Sequence, residues 1–164
     1  MSLSRENKLY THALRLLTKQ DHSRFQLQNK LLRKATTKSV HQVLDRLENN
    51  GFLNDQAFAL SRAQQKRRGK LWGDLRIIKD LKGLGIDAKI IQSVLTEVEN
   101  KKGQIDSLKK VIQKWTEQSG PPTTISQLKK LYDRCFRLGY EGNLLREQLD
   151  HYFENLEWGS NKSQ

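Results

Sequence analysis

The sequence predicts an all-α protein built from tandem three-helix units. Apolar residues recur at three- and four-residue spacing along nearly all of the 164 residues, and no segment alternates like a strand. Proline occurs only at Pro121 and Pro122, so helices can continue elsewhere without interruption. The apolar pattern also repeats at an interval of about 50 residues, which indicates repeated structural units.

Two offsets define the repeat. An offset of 50 aligns Ser23–Leu31 with Gly73–Leu81, and it superimposes their apolar positions. An offset of 54 aligns Leu81–Val98 with Cys135–Tyr152. The second aligned stretch runs from the end of one predicted helix through a turn and into the next, so the repeating unit is larger than a single helix.

We therefore predict nine helices in three units, at residues 1–53, 54–100 and 101–158, followed by a disordered tail at 159–164. The predicted helices lie near Lys8–Lys19, Ser23–Lys34, Lys38–Asn50, Asp55–Arg68, Gly73–Leu84, Ala88–Val98, Ile105–Gln118, Ile125–Leu138 and Gly142–Leu156. Repeats of this kind contact mainly their neighbours, so we expect an elongated molecule, either straight or curved. The alternative is a compact nine-helix bundle.

Polar and glycine residues predict where several helices begin and end. Asp21 or Ser23 can cap the second helix, because a short side-chain oxygen accepts an unpaired N-terminal N–H. Asp55 can do the same for the fourth helix. Gly85 and Gly139 occupy aligned positions after a helix, where a left-handed residue is expected.

The charge is strongly positive and unevenly distributed. The net charge is +12, with 30 Lys and Arg against 18 Asp and Glu. Residues 1–82 hold 18 basic and 7 acidic residues, whereas residues 83–164 hold 12 and 11. Basicity concentrated in one half favours contact with a polyanion such as nucleic acid or a nucleoprotein. The alternative is a solvated basic surface.

The residues that would carry catalysis or hold a metal form no recognisable motif. The four histidines have no metal-ligand spacing, a phosphate-binding GxxxxGK[ST] loop is missing, and Cys135 is the single cysteine. We expect a protein that is not an enzyme and has no cofactor. A lone cysteine and the lack of a long apolar run favour a cytoplasmic protein without a membrane span.

A basic segment, Arg62–Lys82, is the strongest local feature, with eight basic and two acidic residues. It spans the end of one helix, a glycine-flanked turn and the start of the next helix. Trp72 in the turn is expected to pin the turn to the core, with stacking on a base as the alternative. The predicted contacts to phosphate or an acidic partner are Lys66, Arg67, Arg68, Lys70, Arg76 and Lys79.

Four segments in order resemble the RecX family. They are Ala13–Leu31, Asn50–Ala59, Arg67–Ile86 and Phe136–Tyr140, within a resemblance that covers residues 8–156. The turn before Arg76-Ile77 is longer here than the family's and carries Trp72.

The resemblance implies a tandem three-helix protein that binds the filament of the RecA recombinase on single-stranded DNA. It implies inhibition of the recombinase, ATPase and coprotease activities of RecA, and a role in DNA repair, recombination and the SOS response. We expect a monomer with phosphate contacts from the basic second unit, whereas the third unit would meet protein. The alternative is a general nucleic-acid-binding protein without a recombinase partner.

Overall fold

Helices account for the regular structure in a computed structural model of the chain, which describes residues 5–152. The described elements are α1 (Arg5–Lys19), α2 (Arg24–Leu31), α3 (Thr37–Asn49), α4 (Asp55–Lys70), α5 (Asp74–Gly83), α6 (Ala88–Lys102), α7 (Gln104–Ser119), α8 (Ile125–Arg137) and α9 (Gly142–Tyr152). The predicted all-α fold class is confirmed. The predicted tail at 159–164 and the end of the ninth helix lie outside the described residues.

Helix ends follow the polar and glycine signals with one exception. Ser23 caps α2, accepting the Gln26 N–H while the Gln26 side chain accepts the Ser23 N–H. Gly85 and Gly139 have φ angles of 74° and 92°, as expected for left-handed positions after a helix. The prediction of an Asp55 cap is wrong, because the side chain of the preceding residue, Asn54, accepts the Ala57 N–H at 2.9 Å.

The first three helices enclose their own core. Amphipathic α1 and α3 pack against each other and against the short helix α2. The buried residues of this core are Leu9, Ala13, Leu27, Leu31, Val40, Val43, Leu44, Leu47 and Leu53. The Asp55 carboxylate accepts the Arg24 N–H at 2.7 Å, and burial raises the pKa of this carboxyl group.

The last three helices enclose a second core. Its buried residues are Leu108, Val111, Ile112, Trp115, Leu128, Leu131, Cys135, Tyr140, Leu145 and Leu149. Cys135 is fully buried in this core, and burial raises the pKa of its thiol to about 12. Phe136 lies outside this core: it is 56% exposed, and its ring stacks on Tyr132.

The chain forms two compact units by internal contacts. One unit comprises residues up to 62 with 80–96, and the other comprises 63–79 with the residues from 97 onward. The boundaries 1–53, 54–100 and 101–158 remain predictions. Helix α6 ends at Lys102, two residues past the second boundary, whereas each of the other eight described helices lies within one range. Within residues 5–152, no helix is both long and apolar enough to cross a membrane.

Candidate functional site

The turn between α4 and α5 is held by buried Arg67. Its side chain is 2% exposed and forms an ion pair with the Asp74 carboxylate. A second guanidinium nitrogen donates to the Trp72 carbonyl oxygen at 2.5 Å. Because one side chain bonds both to the turn and to the first residue of α5, it fixes the path of the chain between the two helices.

Trp72 brings two of the predicted cations together. Its ring centroid lies 5.0 Å from Lys66 Nζ and 4.4 Å from Arg76 Cζ, so both charges contact the aromatic ring. The indole is half-buried. The Trp72 ring therefore gathers cations from α4 and α5, whereas its expected packing against the core stays a prediction.

The turn is also bonded to the segment between α8 and α9. The Gly73 N–H donates to the Leu138 carbonyl oxygen at 2.8 Å, and the Tyr140 hydroxyl donates to the Leu71 carbonyl oxygen at 2.8 Å. Burial raises the pKa of Tyr140, so its hydroxyl group stays protonated and can donate this hydrogen bond. Leu71 has a φ angle of 55°, a left-handed conformation that a leucine adopts only when its surroundings hold it.

The six predicted contact residues have different exposures. Arg68, Lys70, Arg76 and Lys79 are exposed and Lys66 is half-buried, whereas Arg67 is buried. The burial of Arg67 is the main departure from the sequence interpretation, because its charge is neutralised inside the protein. The other five cations keep their charged groups at or near the surface.

A cationic cleft lies where the end of α4 meets α7 and α8. It has a volume of about 480 Å³ and is lined by Gly69, Lys70, Leu71, Val111, Lys114, Arg134, Arg137 and Leu138. We call this the α7–α8 cleft. Arg76 adjoins it, since its guanidinium donates to the Arg137 carbonyl oxygen at 3.1 Å. Of these lining cations, the sequence interpretation included only Lys70.

The missed cations carry a detectable pattern in the sequence. Lys130, Arg134 and Arg137 are spaced four and three residues apart, so they share one face of α8. Lys110 and Lys114 share a face of α7 for the same reason. A charge count over residues 83–164 hides these stripes, because residues 83–100 and 138–164 each hold more acidic than basic residues.

Other arginines are neutralised by carboxylates. Arg24 pairs with Asp45 and Glu48, both at 2.6 Å. Arg62 pairs with Asp80 at 2.5 Å, and the hydrogen bond to this carboxylate raises the pKa of the guanidinium above its ordinary value. These pairs are structural, so they leave less charge for a partner than the count of arginines suggests. In the described part of the chain, no three His, Cys, Asp or Glu residues are placed to hold a metal ion.

The chain is similar in sequence to known proteins. Models of the first and the second three-helix domain of RecX match residues 10–47 and 54–95. Regulatory protein RecX of Xanthomonas axonopodis pv. citri (strain 306) is 32% identical over 135 residues, which cover 82% of this chain and 81% of that protein. Regulatory protein RecX of Chlorobium phaeobacteroides (strain BS1) is 28% identical over 151 residues, covering 92% and 97%.

A solved structure has the same fold. The crystal structure of RecX from Lactobacillus salivarius superimposes with a TM-score of 0.80, covering 89% of this chain and 95% of that one at 18% identity. The match therefore includes helices beyond the two domains that the family models cover. Together, the three-helix domains and the curated relatives show that this chain belongs to the RecX family of regulatory proteins.

Proposed function

We propose that this chain binds the filament of the RecA recombinase on single-stranded DNA and lowers its recombinase, ATPase and coprotease activities. The observation that carries the proposal is the Trp72 turn, where Lys66 and Arg76 contact one indole in a chain of the RecX family. A rigid turn that presents several cations suits a repeating anionic partner. The protein would act by binding, without catalysis, as a monomer in the cytoplasm.

The cations of the turn would have two different roles. Arg68, Lys70, Arg76 and Lys79 are exposed, and with Lys66 they are the proposed contacts to phosphate or to acidic groups of the filament. Arg67 would hold the turn in shape through Asp74 and the Trp72 carbonyl group. This division keeps the predicted set of six residues but assigns Arg67 a positioning role.

Hydrolysis of ATP by RecA on single-stranded DNA tests the proposal. RecA from the same organism would be assayed while this protein is added from substoichiometric to equimolar amounts. We expect the rate to fall at protein concentrations too low to coat the DNA. An unchanged rate across the titration would contradict the proposal.

A matched pair of variants tests the site. Arg68→Ala with Lys79→Ala removes two exposed cations of the turn region, and Lys109→Ala with Lys129→Ala removes two exposed cations elsewhere. Both variants lose the same net charge. The first should inhibit RecA several-fold less well than the unaltered protein, and the second should inhibit as well as the unaltered protein. Equal loss in both would show that only net charge matters.

The second candidate function is general binding of nucleic acid, which the net charge of +12 favours. Such a protein would bind naked DNA or RNA with an affinity that falls steeply with salt. Tight binding to naked nucleic acid, combined with no effect on RecA at substoichiometric amounts, would favour this function over filament regulation.

A further inference from the structure

We propose that the α7–α8 cleft binds the phosphodiester backbone of single-stranded DNA. The inference rests on the proposed function in one respect: the single-stranded DNA of the filament is taken as the source of the phosphates. It assigns phosphate contacts to the third set of helices, which the sequence interpretation expected to meet protein. Its cationic residues are Lys70, Lys114, Arg134 and Arg137.

The cations of the cleft are not neutralised within the described protein. All four side chains are exposed, and none of them forms an ion pair with a carboxylate among the side chains described at residues 5–98 and 103–150. Arg24, Arg62 and Arg67 differ, because each has a carboxylate partner. Four like charges gathered around one cleft repel each other, and an anion bound between them would relieve that repulsion.

The cleft continues into longer rows of positive charge. Lys130 extends the face formed by Arg134 and Arg137 on α8, and Lys110 extends the face of Lys114 on α7. With a rise of 1.5 Å per residue, the row from Lys130 to Arg137 is about 10 Å long. A row of this length exceeds what a single phosphate needs, and it fits a chain that carries a negative charge on every unit.

The surface available in the cleft favours a phosphodiester over an acidic peptide. The apolar lining residues already serve the core, since Val111 is 3% exposed while Leu71 and Leu138 are half-buried against it. A peptide usually gains its affinity from apolar or aromatic anchors that fill pockets. Here the exposed side chains of the lining are the four cations, which suits a polyanion held mainly by its charge.

Binding to a fluorescently labelled oligothymidylate, measured by anisotropy at several salt concentrations, tests the inference. The cleft variant carries Lys114→Ala and Arg134→Ala, and the control carries Lys109→Ala and Lys129→Ala on the same two helices. All four side chains are exposed, so both variants should keep the far-UV circular dichroism of the unaltered protein. For single strands, two lost phosphate contacts should lower the slope of log affinity against log salt by about 1.4.

The outcomes separate this inference from its alternatives. A lower slope and weaker binding in the cleft variant alone would support a phosphodiester site. Equal losses in the cleft and control variants would overturn it, because net charge would then explain the binding. An oligoglutamate peptide that displaces oligothymidylate at equal charge concentration would also overturn it and assign the cleft to an acidic protein segment.

The same measurement is independent of the proposed regulation. It uses naked DNA, so a protein without effect on RecA could still show the cleft-specific change in slope. Conversely, a cleft variant that binds oligothymidylate like the control but inhibits RecA normally would remove this inference and leave the proposed function intact.

Discussion

Arg67 and Arg68 are neighbours in α4, but their side chains lie in different environments. Arg67 is buried against Asp74 and the Trp72 carbonyl group, whereas Arg68 is exposed. A buried charge without its partner is costly, because it has lost its hydration and gains nothing in return. The two residues should therefore differ in what they contribute to stability and to binding.

Replacing each arginine by alanine should separate the two contributions. Arg67→Ala leaves the Asp74 carboxylate, 22% exposed, without its partner, and should lower the free energy of unfolding by about 3 kcal/mol. Arg68→Ala should change it by less than about 0.5 kcal/mol, as expected at an exposed position. Urea titrations monitored by far-UV circular dichroism measure the free energy of unfolding of both variants. Equal stability of the two variants would contradict the buried role of Arg67.

Elements meet most closely where the α4–α5 turn contacts the α8–α9 turn. A Cβ atom on Gly73 would lie 2.3 Å from the Gly139 carbonyl oxygen, and one on Gly139 would lie 2.4 Å from the Arg76 nitrogen. Both neighbours are backbone atoms, which cannot rotate away as a flexible side chain can. The contact between these turns thus requires glycine on both sides.

A pair of glycine substitutions in the same turn region tests this packing. Gly73→Ala should lower the free energy of unfolding by about 1–3 kcal/mol, because the added methyl group overlaps backbone. Gly69→Ala is the control: a Cβ there meets nothing within 4 Å, and alanine in the last turn of α4 should add up to about 0.5 kcal/mol. The melting temperatures of both variants, measured by thermal unfolding, would show this difference in stability. A Gly73→Ala protein as stable as the control would contradict the close approach.

The order of helices and several of their ends could be predicted from the sequence, because these depend on local signals. Apolar periodicity places the nine helices described within residues 5–152, and the cap at Ser23 and the left-handed Gly85 and Gly139 require only a few neighbouring residues. The Asp55 cap was misassigned because Asn54 and Asp55 are adjacent and both have capping side chains. A shift of one residue in the start of the helix decides which of the two side chains is the cap.

To predict the details of the site, one must know which face of each helix packs against the core. Ala59, Ala63 and Arg67 are buried at intervals of four residues, so the small residues of α4 mark the face on which Arg67 lies. That spacing could have separated Arg67 from Arg68. The α7–α8 cleft could not be predicted, because it joins the end of α4 at Lys70 to residues of α7 and α8 that are 41 or more positions away in the chain.

Across the whole molecule, basic and acidic residues are concentrated in segments shorter than half of the chain. Residues 101–137 hold nine basic and three acidic residues, whereas residues 138–164 hold two and five. The nearly neutral second half therefore contains a basic segment, at 101–137, that is followed by an acidic one. Two basic regions, the Trp72 turn and the α7–α8 cleft, thus lie among the residues from 63–79 and from 97 onward, which form one compact unit.

That grouping predicts how the molecule responds to the loss of its last three helices. In the full chain, the Gly73 and Leu75 N–H groups donate to the Leu138 and Gly139 carbonyl oxygens at 2.8 and 3.1 Å. In a protein that ends at residue 100, hydrogen exchange at these two amides should accelerate many-fold, because their acceptors are gone. The amide of Leu44 lies within the core of α1–α3 and should stay protected, providing an internal control. Continued protection of Gly73 and Leu75 would mean that the turn keeps its shape without those helices.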